Sequence, residues 1–199
     1  MNKITIRLAT VADAEAILKI YEPYILNTVI TFEYDKVPLS VFQERMTKVM
    51  VQFPWFVCYI DGILAGYAYC SPHLERAAFA WDCECSVYIA EEFKRRGIAS
   101  ALYNAMFKLV MQQGYYTVYS LICVPNESSL ALHIKYGFTE IGTFYNTAYK
   151  LGQWRHLIVM EKRLQSFLGE PKQIIPIHQL NNNIIEEEFR KAESLVKII

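Results

Sequence analysis

The sequence predicts an α/β fold of the α+β kind, a single mixed and mostly antiparallel sheet flanked by helices. Three observations point there. Strand-like and helix-like hydrophobic periodicities follow one another along most of the chain. Asp61-Gly62 sits between two strand-like runs, a strong short-range hairpin signal. Residues 81–103 read as a strand, a short basic loop with a glycine, and a helix. Such a turn converges backbone N–H groups and the positive end of a helix dipole, and so suits phosphate oxygens.

Ile4-Thr5-Ile6-Arg7-Leu8 alternates like a half-buried strand, and Thr10 with Asp13 three residues on resembles a helix N-cap and its acidic partner. The helix runs to about Asn27, with Ala14, Ile17, Leu18, Tyr21, Tyr24 and Ile25 on its core face. Residues 27–33 are β-branched and poor in helix formers, and read as a loop or short extended piece. A second helix, roughly Leu39 to Met50, follows Pro38. Residues 56–60 and 63–69 are the strands that Asp61-Gly62 joins. After a connection over residues 71–77 comes the central strand, about Phe79 to Ile89. The helix beyond the basic loop turns Ile98, Leu102, Ala105, Met106, Leu109 and Val110 to the sheet. Gly114 closes it, residues 116–124 have high β-propensity, and Asn126 caps a helix that Gly137 ends. Two last strands are expected near residues 138–145 and 155–162.

From Gln165 the composition changes. Pro171, Pro176 and Asn181-Asn182-Asn183 form a connector, dividing the chain into residues 1–164 and a tail, 165–199. Asn183 with Glu186 resembles a capping box opening a helix over 184–199, whose apolar face is Ile185, Phe189, Ala192, Val196 and Ile199. Such a helix is too short to stand alone in water, so it is expected to dock on this protein or on a second copy.

At 199 residues with a hydrophobic fraction of 53%, the chain can bury one substantial core plus an extension. Twenty acidic residues balance twenty basic ones, which argues against nucleic acid or an anionic membrane as partner and for small molecules. Five cysteines lie on strand-like segments without Cys-x-x-Cys or matching His spacing, so buried thiols in a reducing compartment are expected and a metal site is not. With no leader-like N-terminus and no membrane-length apolar stretch, the expected location is the cytoplasm.

Residues 94–100, Lys-Arg-Arg-Gly-Ile-Ala-Ser, match neither the Walker loop nor the dinucleotide fingerprint. They resemble the Gln/Arg-x-x-Gly-x-Gly/Ala pyrophosphate loop of the GNAT superfamily of acyl-CoA N-acyltransferases, with Lys94 first and Ala99 last. Thr31-Phe32-Glu33, Pro54-Trp55, Gly66-Tyr67-Ala68-Tyr69, Glu84-Cys85-Ser86-Val87-Tyr88, Val124-Pro125-Asn126, residues 133–138 and residues 149–154 extend the resemblance, in order, to the phosphinothricin acetyltransferase branch.

The resemblance implies a GNAT-type fold, acetyl-CoA as co-substrate, a homodimer, and acetyl transfer to the amino group of a small molecule, an amino acid or an analogue resembling phosphinothricin or methionine sulfoximine. A protein or polyamine amine is the alternative acceptor, and a non-catalytic acyl-CoA binder the alternative function. Glu84 falls where this branch keeps its general base, and His133 where superfamily members carry an acid for the departing thiolate. Val87, Tyr88, Ile89 and Asn126 would run beside the cofactor, and backbone N–H groups from Arg95, Arg96, Gly97, Ile98, Ala99 and Ser100 would cradle its phosphates. The side chains of Lys94, Arg95 and Arg96 would be free to pair with those phosphates. On the acceptor side, Arg76, Phe32 and Phe79 match pocket positions. Leu74, Phe79 and His156 stand where herbicide-acetylating members carry a cation, a tyrosine and an aspartate, so a specificity different from theirs is expected.

Overall fold

The computed structural model describes residues 3–198. Its strands are Ile4–Leu8 (β1), Trp55–Ile60 (β2), Ile63–Pro72 (β3), Asp82–Ile89 (β4), Thr117–Val124 (β5), Thr139–Lys150 (β6) and Gln153–Arg163 (β7). Its helices are Ala14–Asn27 (α1), Leu39–Met50 (α2), Ile98–Gln113 (α3), Glu127–Lys135 (α4) and Asn182–Glu193 (α5). The strands form one seven-stranded sheet, ordered β1-β2-β3-β4-β5-β7-β6. Every neighbouring pair is antiparallel except β4 and β5.

Side-chain alternation sorts the residues of β2 into two cores. Trp55 and Val57 pack with Ile17, Tyr21, Phe42 and Met46 of α1 and α2. Phe56 and Cys58 face the other way, toward Leu102 and Met106 of α3 and Phe189 of α5. The hairpin between β2 and β3 turns on Asp61 and Gly62 at φ 51° and 81°, the doubly left-handed pair of a two-residue turn that follows strand twist. Leu151 and Gly152, at 49° and 76°, do the same between β6 and β7. That second turn lets both strands run further than the periodicity suggests, so the last two strands make one long hairpin. All five cysteines are free and buried.

The central strand begins at Asp82, not Phe79, because Ala77–Phe79 closes into a turn of 3-10 helix in which the Phe79 N–H donates to the Arg76 carbonyl. Thr10 and Asp13 pair as expected, the Thr10 N–H donating to the Asp13 carboxylate at 2.7 Å, but the residues they bracket are 3-10 and α1 proper starts at Ala14.

The tail differs most from the reading. Its helix is capped by Asn181, whose side chain accepts from the Asn183 N–H at 2.9 Å, so the Asn183–Glu186 box is not formed. The cap moved two residues upstream because Asn182 and Asn183 are themselves helical. The helix ends at Glu193, and residues 194–198 continue as turn and coil; Ile199 lies outside the described residues. The connector is pinned to the body. Gln113, fully buried at the end of α3, donates to the carbonyls of Gln52 and Ile175, each at 2.8 Å, and the Trp81 indole donates to the Lys172 carbonyl at 2.8 Å.

From there α5 runs back along α3 toward its N-terminus. Phe189 meets Phe56 edge-on, ring centroids 4.9 Å apart, and Glu193 accepts the Ile6 N–H of edge strand β1 at 2.7 Å. Burying one such phenyl ring contributes about 1.5–3 kcal/mol, and the Glu193 bond covers a backbone donor on an otherwise open edge. Tyr103 and Phe107 of α3 are buried on a different side, against His133, Tyr136 and Phe138.

Candidate active site

β4 and β5 pair at only three positions, the last being Glu84 opposite Tyr119. Both strands then continue apart, β4 to Ile89 and β5 to Val124. This fork leaves the β5-facing edge of residues 85–89 without a strand partner. A groove of about 810 Å³ opens there, walled by Val87 and Ile89 of β4, by Asn126, Ser128, Ser129 and Leu132 around α4, and by residues 93–95 and 97–100 at one end. A smaller recess of about 60 Å³ between the parted strands extends it toward Ser86, Cys123 and His133.

The glycine loop closes the end of the groove. Arg95 and Gly97 are both left-handed, at φ 64° and 79°. For arginine that is an uncommon conformation, held here so that consecutive peptide groups turn inward ahead of α3. Arg95, Gly97, Ile98, Ala99 and Ser100 line the groove. Arg96 does not. Its guanidinium donates to the Glu92 carbonyl at 3.2 Å and lies over the Phe93 ring. Lys94 is at the groove but paired with Glu91 and set over the Tyr24 ring. Of the three basic side chains, Arg95 has neither an ion pair nor a hydrogen bond among the described residues.

Tyr88, expected beside the cofactor, turns its ring into the opposite core against Tyr21, Tyr24 and Tyr67, because alternation along β4 sends it to the α1 face. Asn126 both lines the groove and caps α4, its side chain accepting from the Ser129 N–H at 3.3 Å.

His133 is 2% exposed. Its Nδ1 lies 2.8 Å from the Ser129 carbonyl, which can only accept, so the proton sits on Nδ1. Nε2 then accepts from the Tyr103 hydroxyl at 3.1 Å. Burial holds its pKa below the usual histidine value. Both nitrogens of this neutral ring are occupied inside the protein, and it forms the back of the recess.

Glu84 stands at the fork rather than on the groove wall, its side chain 26% exposed. Its carboxylate lies 2.8 Å from Nδ1 of His73, whose ring stacks on Tyr119 at 4.1 Å between centroids. The sequence reading passed over His73 as part of a connection. What brings it here is register: β3 runs on to Pro72 and places Ser71 opposite Glu84, so the next side chain after the strand reaches the carboxylate. Asp82 and Glu161 stand close by. Burial and Glu161 raise the pKa of Asp82 against the opposing effect of His73, and burial with both acids pushes the Tyr119 hydroxyl up to about 12.

The residues expected on the acceptor side are exposed. Phe32 and Phe79 are each 40% accessible, and Arg76 caps the 3-10 turn with no ion pair among the described residues. None of the three lines the cavities above. The loop carrying Phe32 is nevertheless fixed: Thr31 bonds the Tyr21 hydroxyl at 2.6 Å, buried Lys150 donates to the Thr31 carbonyl at 2.6 Å, and Arg45 pairs with Glu33 at 2.7 Å. Lys150, whose pKa burial lowers, thereby ties this loop to the end of the β6–β7 hairpin. His156 accepts from the Asn146 N–H at 3.0 Å across an irregular stretch of β6, a local structural contact. Among the described residues there is no cluster suited to a metal ion and no helix long and apolar enough to cross a membrane.

Residues 6–159 match the acetyltransferase (GNAT) domain family. The chain is 30% identical over 177 residues to phosphinothricin N-acetyltransferase of Streptomyces viridochromogenes, covering 89% of this chain and 96% of that one. It is 28% identical to the L-methionine sulfoximine/L-methionine sulfone acetyltransferase of Pseudomonas aeruginosa, covering 84% of this chain and 98% of that one. Among solved structures, a phosphinothricin acetyltransferase from Sinorhizobium meliloti in complex with acetyl-CoA superposes with a TM-score of 0.83 at 28% identity, covering 87% of this chain and 96% of that one. With the forked sheet, the glycine loop and a match across most of its length, the chain belongs to the GNAT family of acetyltransferases.

Proposed function

We propose that the protein transfers the acetyl group of acetyl-CoA to the amino group of a small acidic or polar molecule, an amino acid or an analogue of one, with Glu84 as general base. The observation that carries this reading is the position of Glu84, the last paired residue before β4 and β5 part and the groove begins.

Acetyl-CoA supplies an activated thioester carbonyl. Every other requirement falls to the chain. The loop at 95–100 offers N–H groups and the positive end of α3 to the phosphates, and Arg95 adds a cation. The unpaired edge of β4 runs alongside the groove as a rail of backbone donors and acceptors for an extended, amide-bearing arm. Glu84 takes a proton from the acceptor ammonium, leaving a neutral amine whose lone pair forms the C–N bond as the C–S bond breaks; the electron pair leaves with sulfur, which takes up the proton that the amide nitrogen sheds. An ionised carboxylate only accepts, so His73 keeps its proton on Nδ1 and steadies Glu84, while stacking on Tyr119 fixes its ring. With both ring nitrogens of His133 taken up inside the protein, we give it the part of shaping the recess rather than of meeting the thiolate.

Arg76 is the cation we assign to an anionic group of the acceptor, with Phe32 and Phe79 as apolar walls. Leu74 and Phe79 reduce the charge and hydroxyl content of that face, which favours an acceptor other than phosphinothricin itself. Exposed aromatic residues on the hairpin, Phe144, Tyr145, Tyr149 and Trp154, support a homodimer that covers this side, and five buried free thiols support a cytoplasmic location. No nucleic-acid or membrane partner is assigned. The test is a thiol-release screen of acetyl-CoA against amino acids, their sulfoximine and phosphinate analogues, polyamines and a lysine peptide. Release that depends on an amino acid or analogue supports the reading; release with polyamine or peptide alone reassigns the acceptor, and none with any amine leaves an acyl-CoA binder.

A further inference from the structure

The last residues of the tail reach the glycine loop from the side opposite the groove. The Lys197 N–H donates to the Arg96 carbonyl at 2.8 Å. A Cβ built on Gly97 would come within 3.1 Å of the Leu195 carbonyl and within 4 Å of nothing else outside its chain neighbours. Val196 between them is 7% exposed, and α5 leading into them is seated by Ile185, Phe189 and Ala192.

We propose that residues 195–197 are a working part of the acetyl-CoA site: the tail holds the Arg96–Gly97 peptide from behind and thereby aims the Gly97 N–H into the groove. This rests on the acetyl-CoA reading of the loop. In a trans peptide the carbonyl and the N–H point in opposite directions. Fixing the Arg96 carbonyl on Lys197 therefore turns the Gly97 N–H away from the tail, toward the cavity that Gly97 lines. That N–H has no hydrogen-bond partner among the described residues, so it is available to a phosphate oxygen. A hydrogen bond accepted at one end of a peptide group also polarises the donor at the other, strengthening it.

The arrangement gives Gly97 a reason that the loop alone does not supply. Its missing side chain leaves room for the tail, and its left-handed backbone sets the peptide plane the tail grips. The GNAT match ends at residue 159, so this grip comes from a segment outside the matched domain.

Because coupling is reciprocal, binding at the groove must steady the tail as much as the tail steadies the loop. In the intact wild-type protein, saturating CoA should slow amide hydrogen exchange across 195–198, although those residues line none of the groove. Lys197→Pro, which removes the donor, should raise the Kd for CoA and the KM for acetyl-CoA about 3- to 10-fold, the worth of one such bond, with kcat at saturation unchanged. Lys197→Ala keeps the N–H and should bind like wild type. Wild-type protein that binds no CoA would defeat the acetyl-CoA reading. CoA binding that leaves exchange at 195–198 unchanged would overturn the clamp, as would a folded Lys197→Pro protein with wild-type affinity. Should that variant not fold, the exchange comparison on the wild-type chain decides.

Discussion

The proposed cofactor groove and the proposed acceptor face are built from different material. The groove is defined by backbone: a fork between two strands, two left-handed residues, and the start of α3. Its main elements follow one another along residues 82–132, and its loop is braced from behind by the tail. The acceptor face we propose is made of side chains from separate stretches, Phe32, Arg76 and Phe79, each exposed. Glu84 and His73 stand at the seam. The contrast teaches that a single side-chain change can alter the proposed acceptor face while leaving the backbone that shapes the groove in place.

Substitutions on either side of the seam can break that division. Glu84→Gln should produce the largest effect, a fall in kcat of roughly 10²- to 10⁴-fold, the usual worth of a positioned base, with the acetyl-CoA Kd unchanged. Near-normal turnover at neutral pH would remove Glu84 from the mechanism. Gly97→Val forces a β-branched residue into a left-handed conformation against Leu195, and should weaken CoA binding roughly 5- to 30-fold. A change in the acceptor KM instead would show the two halves to be less separate than drawn. Arg76→Ala should raise the KM several-fold for acidic acceptors and little for neutral ones, measured side by side; equal shifts would take the anionic group away from Arg76.

The smallest effect concerns stability. Burial lowers the pKa of His133, so the unfolded chain binds that proton more readily than the folded one. Its contribution to stability is complete above the unfolded value, about 6.5, and is lost as pH falls below it. Denaturant midpoints should therefore decline between pH 7 and pH 5.5, and less steeply in His133→Gln. Parallel slopes would mean another group sets the acid limit.

Most of the sheet was readable from the chain because its signals are local. Asp61-Gly62 needs only its neighbours to make a two-residue turn, and Gly114 and Gly137 end helices by backbone conformation alone, at φ 103° and 78°. The glycine loop was legible for the same reason. What the sequence concealed depends on register and on distant partners. His73 meets Glu84 only because β3 runs three residues beyond Tyr69, and Arg96 stands off the groove because the 3-10 turn over Glu91–Phe93 places a carbonyl and a ring beneath it. The tail's helix was foreseeable from its apolar spacing, but its cap fell at Asn181 among three consecutive asparagines that propensity cannot rank. Its grip on the loop is a contact between residues about a hundred positions apart, for which no local pattern exists.

In the proposed reaction acetyl transfer to an amine takes place at the seam between the two halves. The most direct measurement follows both products at once, free thiol by colour and acetylated acceptor by mass, for wild type and Glu84→Gln under saturating acetyl-CoA. One acetylated acceptor for each thiol released in wild type, and parallel loss of both in a Glu84→Gln protein that still binds CoA, is the predicted result. Thiol release without an acetylated amine, or an undiminished yield from Glu84→Gln, would contradict it.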